Sequence, residues 1–440
     1  MKAFEILEKW ARSRRKASAP ALIAPDGTCL RTWGDIDAES LELAPHLTGS
    51  TSPVALQLGN HPAFPAALLA CWRAGRPICL VDASLKNLDS LTNSIGPGTR
   101  ISSENNRLKI DPLPSPRERS DSACVFKLTS GTTSLPAPIA FTSNQIIADC
   151  DNVCAGMSIG PSDLNFGVIA FTHSYGFSNL ITPLLCHGIP LVVADDALPR
   201  AIQKTLVQTR ATVLPLVPAM FRALCSVDSL PPSLRLCISA GAPLETSVAR
   251  EFHAKFARKI HSFYGTSESG GICYDASNEP LTEPGFVGSP LPGVEITLLD
   301  PQAPTSRIRV RSSAVGSLDS TTPANFEPSD LLAPGSRGFR IVGRVSDIIN
   351  CGGKKVAPAE LERVIARCPG VREVIVFGSR QEKIHALVVG DETLDHQTLR
   401  RHCGVSLAPW QVPREFHLVP QIPLTPRGKI SRLELAARFS

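Results

Sequence analysis

Two short segments carry the residue types needed to handle a phosphorylated ligand. Leu128-Thr-Ser-Gly-Thr-Thr-Ser-Leu-Pro136 follows the apolar pair Val125-Phe126 and strings small and hydroxylated residues together. Such a loop offers backbone N–H groups and hydroxyls to phosphate oxygens without steric obstruction. It is not the GxxxxGK[ST] nucleotide loop, because the spacing differs and no lysine closes it; in isolation it reads equally as a Ser/Thr-rich turn. Phe263-Tyr-Gly-Thr-Ser-Glu-Ser-Gly-Gly271 sets an aromatic ring, a glycine, hydroxyls and one carboxylate side by side. The ring can stack on a purine and the carboxylate can hold Mg²⁺ against phosphates, although Glu268 alone reads equally as a surface carboxylate. Gly343-Arg-Val-Ser-Asp347 and Pro426-Arg-Gly-Lys-Ile-Ser-Arg432 each place a cation beside turn-forming residues. A lone tail lysine is ordinarily solvated.

The elements that must position these residues are short apolar runs alternating with stretches at helical spacing. Strands are predicted at 54–58, 76–81, 166–171, 190–194, 213–217 and 236–239, with helices at 62–75 and 201–209 among them. This rhythm predicts a layered α/β body with buried sheets. The polar, Pro- and Ser-rich stretch 105–122 reads as a surface linker. Beyond Pro284 the texture changes: 293–299 and 308–311 alternate as strands of a smaller sheet, and 312–338 reads as a Ser/Thr/Pro-rich loop. A compact α+β unit follows, with a glycine turn at Gly352-Gly353, helices starting near Pro358 and Asp395, and strands at 371–377 and 384–389.

The 440 residues are 43% hydrophobic and only 19% charged, enough for a sizeable core and incompatible with wholesale disorder. A net charge of +5 without a basic block argues against a nucleic-acid partner. Glycine (31) and proline (38) are aperiodic, which excludes collagen-like and solenoid readings. The 13 cysteines form no CxxC pair and read as buried free thiols in a reducing, cytoplasmic compartment. Cys150 and Cys154 have helical spacing, but no His or Cys pair follows nearby, so no zinc set is expected there. Phe4, Leu7, Trp10 and Ala11 share one face of a predicted N-terminal surface helix. The stretch 164–194 lacks Asp, Glu, Lys and Arg, yet His173, Asn179, Pro183, His187, Gly188 and Pro190 interrupt it. It reads as domain interior and not as a membrane span.

In their order, these segments resemble the adenylate-forming superfamily of acyl-CoA and aryl-CoA synthetases, luciferases and nonribosomal adenylation domains, from about Thr32 to Leu435. The resemblance implies a large N-terminal body (1–344) carrying the ATP and carboxylate sites, and a small mobile α+β C-terminal domain (345–440). Residues 129–136 match the family's phosphate loop, which puts Thr129, Ser130, Gly131, Thr132 and Thr133 on ATP. Tyr264, Gly265, Thr266, Ser267 and Glu268 match its tyrosine–glycine–x–threonine–glutamate segment, with serine in the threonine place and Glu268 as the Mg²⁺ carboxylate. Gly241 and Ala242 would flank the adenine. Asp330 falls where an aspartate holds the ribose, and Arg344 matches the arginine that assists it. Gly352-Gly353 opens the mobile domain and would face the thiol channel. Lys429 sits at the catalytic lysine, within Pro423-Leu-Thr-Pro-Arg-Gly-Lys.

The chain also departs from the pattern. Ser134 replaces a glycine, and Ala137 stands where a lysine normally neutralises the terminal phosphates, which weakens the grip on ATP or pyrophosphate. Ser346 replaces the usual aspartate or lysine at the hinge. A degenerate, non-catalytic nucleotide-binding homologue is therefore a rival reading, opposed by the presence of Glu268, Asp330, Arg344 and Lys429. For the acyl group, His173 in Thr172-His-Ser-Tyr-Gly-Phe177 matches the gate of acyl and aryl ligases, with a buried structural histidine as the alternative. Phe177, Ala240 and Gly241 join it in the expected pocket. No acid lies between Asp163 and Asp195 to hold an α-ammonium, which disfavours an amino acid. The resemblance thus implies activation of a fatty or aryl acid with ATP and Mg²⁺ and transfer to a thiol. Free CoA is the first choice of acceptor and an acyl carrier protein's phosphopantetheine arm the second.

Overall fold

The computed structural model describes residues 4–128, 138–317, 324–335, 337–351, 354–379, 383–392, 394–423 and 430–439, with the backbone alone at Ser90, Ser346, Lys355 and Leu433. The chain divides into two compact units. The first comprises Met1–Thr297, Arg309–Phe326 and Ser336–Phe339; the second comprises Leu298–Ile308, Glu327–Gly335 and Arg340–Ser440.

The first unit is the α/β body the sequence predicts. In one sheet Val54–Gln57 lies parallel to both Ile78–Leu80 and Thr99–Glu104, and Ile78–Leu80 lies parallel to Val125–Leu128. In another, strands run parallel in the order Ile260–Thr266, Leu236–Ser239, Val213–Leu216, Asn165–Gly167, Leu191–Val193 and Pro20–Ile23. Their continuous apolar sequences follow from this placement: Val213-Leu-Pro-Leu216 and Leu191-Val-Val193 are buried at every residue, as strands covered on both faces must be. One cover is the core of Ile202, Leu206, Phe221, Val248 and Phe252. Phe221 and Phe252 meet edge to face at 5.4 Å, each burial being worth about 1.5–3 kcal/mol.

Several expectations are corrected. Within the expected linker, Arg107–Pro112 pairs antiparallel with Thr99–Glu104 as an outer strand. It is exposed or half-exposed throughout, Leu108 and Ile110 included, so it is a solvated edge held by backbone ladder bonds. The expected loop 312–338 contains the strands Ala324–Phe326 and Asp330–Gly335. The first helix, Glu5–Ser13, buries Ile6 and Trp10 instead of Leu7 and Ala11. Trp10 is anchored by the Trp33 ring at 5.5 Å and by donating Nε1–H to Asp37 at 3.0 Å. The charge-free stretch does form interior, through a π-helical segment Phe177–Ile181 and the helix Thr182–His187. Among the described residues no helix is long and apolar enough to cross a membrane.

The cysteines are free thiols, buried except for exposed Cys29 and half-buried Cys351. His187, distant in sequence, packs beside Cys150 and Cys154. All three are brought together because the helix Ser143–Met157, started by a Thr142/Gln145 capping box, packs against Thr182–His187.

In the second unit, Val371–Gly378, Ile384–Gly390 and Glu415–Leu418 form a sheet covered on both faces. Alternation sorts its residues. Val376, Ala386 and Val388 pack on Leu361, Ile365 and Leu399, whereas Phe377, Leu387 and Val389 pack on Leu435. The helices Pro358–Ile365 and His396–Ser406 begin where the sequence predicts, the latter capped by Asp395 accepting from the Thr398 N–H at 2.7 Å.

Candidate active site

Within the first unit, the predicted residues gather beyond the carboxyl ends of neighbouring parallel strands, the usual ligand position in an open α/β sheet. Leu236–Ser239 runs into buried Ala240 and then exposed Gly241 and Ala242. Gly241 has φ +84°, a conformation that disfavours any side chain there. On the adjacent strand Ile260–Thr266, buried Tyr264 and the tight Gly265 lead into a turn through Ser267 and Glu268, which returns as Gly270–Tyr274. The Thr266 hydroxyl serves the turn itself, bonding Ser269 Oγ at 3.0 Å and accepting from the Ser269 N–H. The Glu268 carbonyl accepts from the Gly316 N–H at 2.8 Å. Among the described residues the Glu268 side chain, half-buried, has no hydrogen-bond or ion-pair partner.

The segment after Asn165–Gly167 reaches the same place. His173 is exposed, so the alternative reading of a buried histidine is not met; its Nδ1 accepts from the Tyr175 N–H at 3.2 Å and caps a short helix. Ser174 Oγ donates to Ser267 Oγ at 3.0 Å, joining the expected acyl segment to the Tyr264–Glu268 turn. Tyr175 donates its hydroxyl to the Ile238 carbonyl at 3.0 Å and tilts against Phe263. Burial pushes that phenol well above its ordinary range, so it remains a donor. Phe177 is fully buried.

The sequence reading missed the groups that hold this arrangement from behind. Asn60 donates to the carbonyls of Gly167, Ile169 and Ala194 and accepts from the Phe171 N–H at 2.9 Å, which orders the path to His173. Asp149 accepts from Ser178 Oγ at 2.6 Å and from the Gly271 N–H at 2.9 Å. A Cβ at Gly270 (φ +69°) would come within 2.1 Å of Asp149 Oδ1, so this turn needs glycine. Lys127 lies 3.8 Å from Asp149, with the Phe141 ring at 4.6 Å and the Phe177 ring at 5.7 Å. Its burial lowers the ammonium pKa, and Asp149 opposes that shift. One lysine inside an apolar strand, Val125-Phe-Lys-Leu128, was the available signal; its partner could not be read without the fold.

In the second unit, Arg344 donates Nε–H to Asp330 Oδ1 at 2.9 Å, pairing two residues expected at the ribose. The backbone of Ser346 lies in the short 3₁₀ turn Val345–Asp347. Asp347 and Glu362 both receive Arg432, at 2.9 and 2.7 Å, and Arg432 Nε also donates to the Val376 carbonyl. Burial would lower the Arg432 pKa, but the two carboxylates outweigh it and hold the charge. Thr129, Ser130, Gly131, Thr132 and Thr133, with Ala137, lie outside the described residues, as do Gly352, Gly353 and Lys429.

The donor chemistry of the first unit fits a magnesium-bound phosphate ligand. Glu268 offers a carboxylate that the described residues do not use, an oxygen donor of the kind hard divalent cations take. Ser239 and Ser262, register partners on adjacent strands, are buried hydroxyls for which the described residues supply no hydrogen-bond partner.

Residues 87–308 match the family model of the AMP-binding enzyme, and residues 360–429 match that of the AMP-binding enzyme C-terminal domain. A sulfoacetate–CoA ligase of Cupriavidus necator is 27% identical, covering 74% of this chain and 68% of its own length. The fatty acid–[acyl-carrier-protein] ligase MmaC of Mycobacterium marinum is 25% identical over 97% of this chain and 96% of its own. In structure the chain is similar to ATP-bound MatB from Rhodopseudomonas palustris, with a TM-score of 0.83 over 98% of both chains at 21% identity.

Proposed function

The chain belongs to the AMP-binding enzymes, and on that premise we propose that this AMP-forming ligase activates a fatty or aryl acid with ATP and transfers the acyl group to the thiol of CoA. In the first step a carboxylate oxygen attacks the α-phosphorus and pyrophosphate leaves. In the second the thiol sulfur attacks the acyl carbon and AMP leaves. The first step must bring two anions together, so it depends on positioning and charge neutralisation.

The observation that carries this reading is the Ser174–Ser267 hydrogen bond, which fastens the acyl segment to the turn presenting Glu268. Glu268 would hold Mg²⁺, which when bound neutralises phosphate charge. Tyr264, Gly265, Gly241 and Ala242 would receive the adenine, and the paired Asp330 and Arg344 the ribose. Thr129 to Thr133 would take the phosphates. Lys429 would bridge the carboxylate and the phosphate as a point charge. His173, Phe177, Ala240 and Gly241 would bound the acyl group. Residues 345–440 would move as one domain about Ser346, bringing Gly352 and Gly353 to the thiol.

An α-amino acid fits poorly. Of the acids the fold brings near the acyl segment, Asp149 is buried and committed to Lys127, Ser178 and the Gly271 N–H, and Glu268 would be committed to Mg²⁺. A desolvated ammonium would therefore lack a counter-charge. A carrier-protein thiol is the second reading, favoured by the match to MmaC along almost the whole chain.

Magnesium-dependent ATP–pyrophosphate exchange across fatty acids, benzoates, cinnamates and amino acids tests the proposal. Exchange with one fatty or aryl class, followed by CoA thioester formation, is expected. Exchange with amino acids alone overturns the acid assignment. Acylation of phosphopantetheinylated carrier protein without thioester formation on free CoA overturns the acceptor.

A further inference from the structure

Away from these segments, two helices meet at a cluster of soft donor atoms. Cys150 and Cys154 lie one turn apart on Ser143–Met157, and His187 is the last residue of Thr182–His187. Their Sγ atoms and a ring nitrogen of His187 all lie within 4.8 Å of one another. Cys150 is fully buried and Cys154 is 4% exposed, whereas the His187 side chain is 30% exposed and marks a route in from solvent.

The surroundings resemble a ligand shell in chemistry as well as in proximity. Asp151 bonds His187 Nε2 at 2.7 Å, which leaves Nδ1 as the ligating nitrogen and sets the ring through a carboxylate, the common outer support of a metal-bound imidazole. Lys9 in turn pairs with Asp151 at 3.2 Å, so that carboxylate is already balanced. Two thiolates would then neutralise a divalent cation. Sulfur and imidazole donors together select Zn²⁺ over the oxygen-seeking cations.

We infer that Cys150, Cys154 and His187 form a binding site for one Zn²⁺ ion. Because thiols must lose their protons to ligate, each Zn²⁺ bound releases protons into solvent. The ion ties together two helices. One carries Asp149, which holds the Gly271 turn, and the other follows directly from the acyl segment. The site is structural, and it stands whether or not the substrate assignment does.

The test uses the full chain, stripped with EDTA and titrated with Co²⁺ and then Zn²⁺. One Co²⁺ per chain is expected, with sulfur-to-cobalt charge-transfer absorption in the near ultraviolet that Zn²⁺ abolishes. Proton release accompanies binding, and the melting temperature rises with Zn²⁺. Cys150→Ser with Cys154→Ser removes the band, and His187→Gln weakens binding by about tenfold or more. Cys403→Ser, in the second unit, leaves the titration unchanged. Because His187 is partly exposed, its variant keeps the test valid if the double cysteine variant does not fold. Absence of the charge-transfer band in the unsubstituted protein, or an unchanged band in His187→Gln, overturns the site.

Discussion

The two units hold their functional segments with ion pairs of opposite character. In the first, Lys127 and Asp149 are 2% and 4% exposed and connect the strand before residue 129, the Gly271 turn and the π-helical segment. In the second, Arg432 reaches Asp347 and Glu362 with side chains between 17% and 26% exposed, and it fixes the chain just beyond Lys429. A buried pair is costly to break and sets a unique geometry. A partly solvated one loses less, because water substitutes for the missing partner. The anchor of the first unit is thus the more rigid, and the anchor at Arg432 the looser.

The largest effect is expected at Asp149. Asp149→Ala strands the buried Lys127 charge and should cost about 3–5 kcal/mol, read as a lower denaturation midpoint. Adding Lys127→Met should recover most of that loss, since the unpaired charge is then gone. If Asp149→Ala melts like the unsubstituted chain, the rigid-anchor half of the comparison fails. Lys429→Ala should leave stability unchanged and slow adenylation on the order of 10²- to 10³-fold, measured as pyrophosphate exchange. Arg432→Ala should cost about 1–2 kcal/mol and lower kcat for adenylation; a loss as large as that of Asp149→Ala would erase the distinction between the two anchors. Ala137→Lys should raise the exchange rate about fivefold by restoring a cation near the phosphates.

The smallest effect concerns acid. His385 and His417 touch through their ring nitrogens at 3.1 Å in the second unit. Burial lowers the pKa of both, and at His385 the neighbouring His417 adds to this. The unfolded chain therefore binds more protons below about pH 6.5. Stability should fall as pH drops through 6.5 toward the folded pKa values, and His385→Phe with His417→Phe should flatten that fall in melting scans between pH 7.5 and 5.5.

Much of the fold was legible. The strand at Leu236–Ser239 and the helix at Pro358–Ile365 fall where apolar runs and proline punctuation put them, because burial on both strand faces and helix starts leave local marks. The outer strand Arg107–Pro112 carries only a short alternation, Leu108 and Ile110 between Arg107, Lys109 and Asp111, and the Pro- and Ser-rich stretch around it outweighed that signal. Of the candidate site, the turn through Ser267 and Glu268 could be found from residue types alone, and its support could not. Asp149 is one acid on one helix until packing brings Lys127, Ser178 and Gly271 around it.

By itself the sequence determined the family, the order of the Ser/Thr-rich, tyrosine–glycine and tail segments, and the alternation that builds both units. Those properties rest on local residue chemistry and on spacing along the chain. Only the tertiary structure decided which hydroxyl meets Ser174, which cation is buried against Asp149, and that His187 joins Cys150 and Cys154. Each of those contacts joins segments that are far apart in sequence or lie on separate elements, so its partner is chosen by packing and desolvation, which leave no period or motif to read.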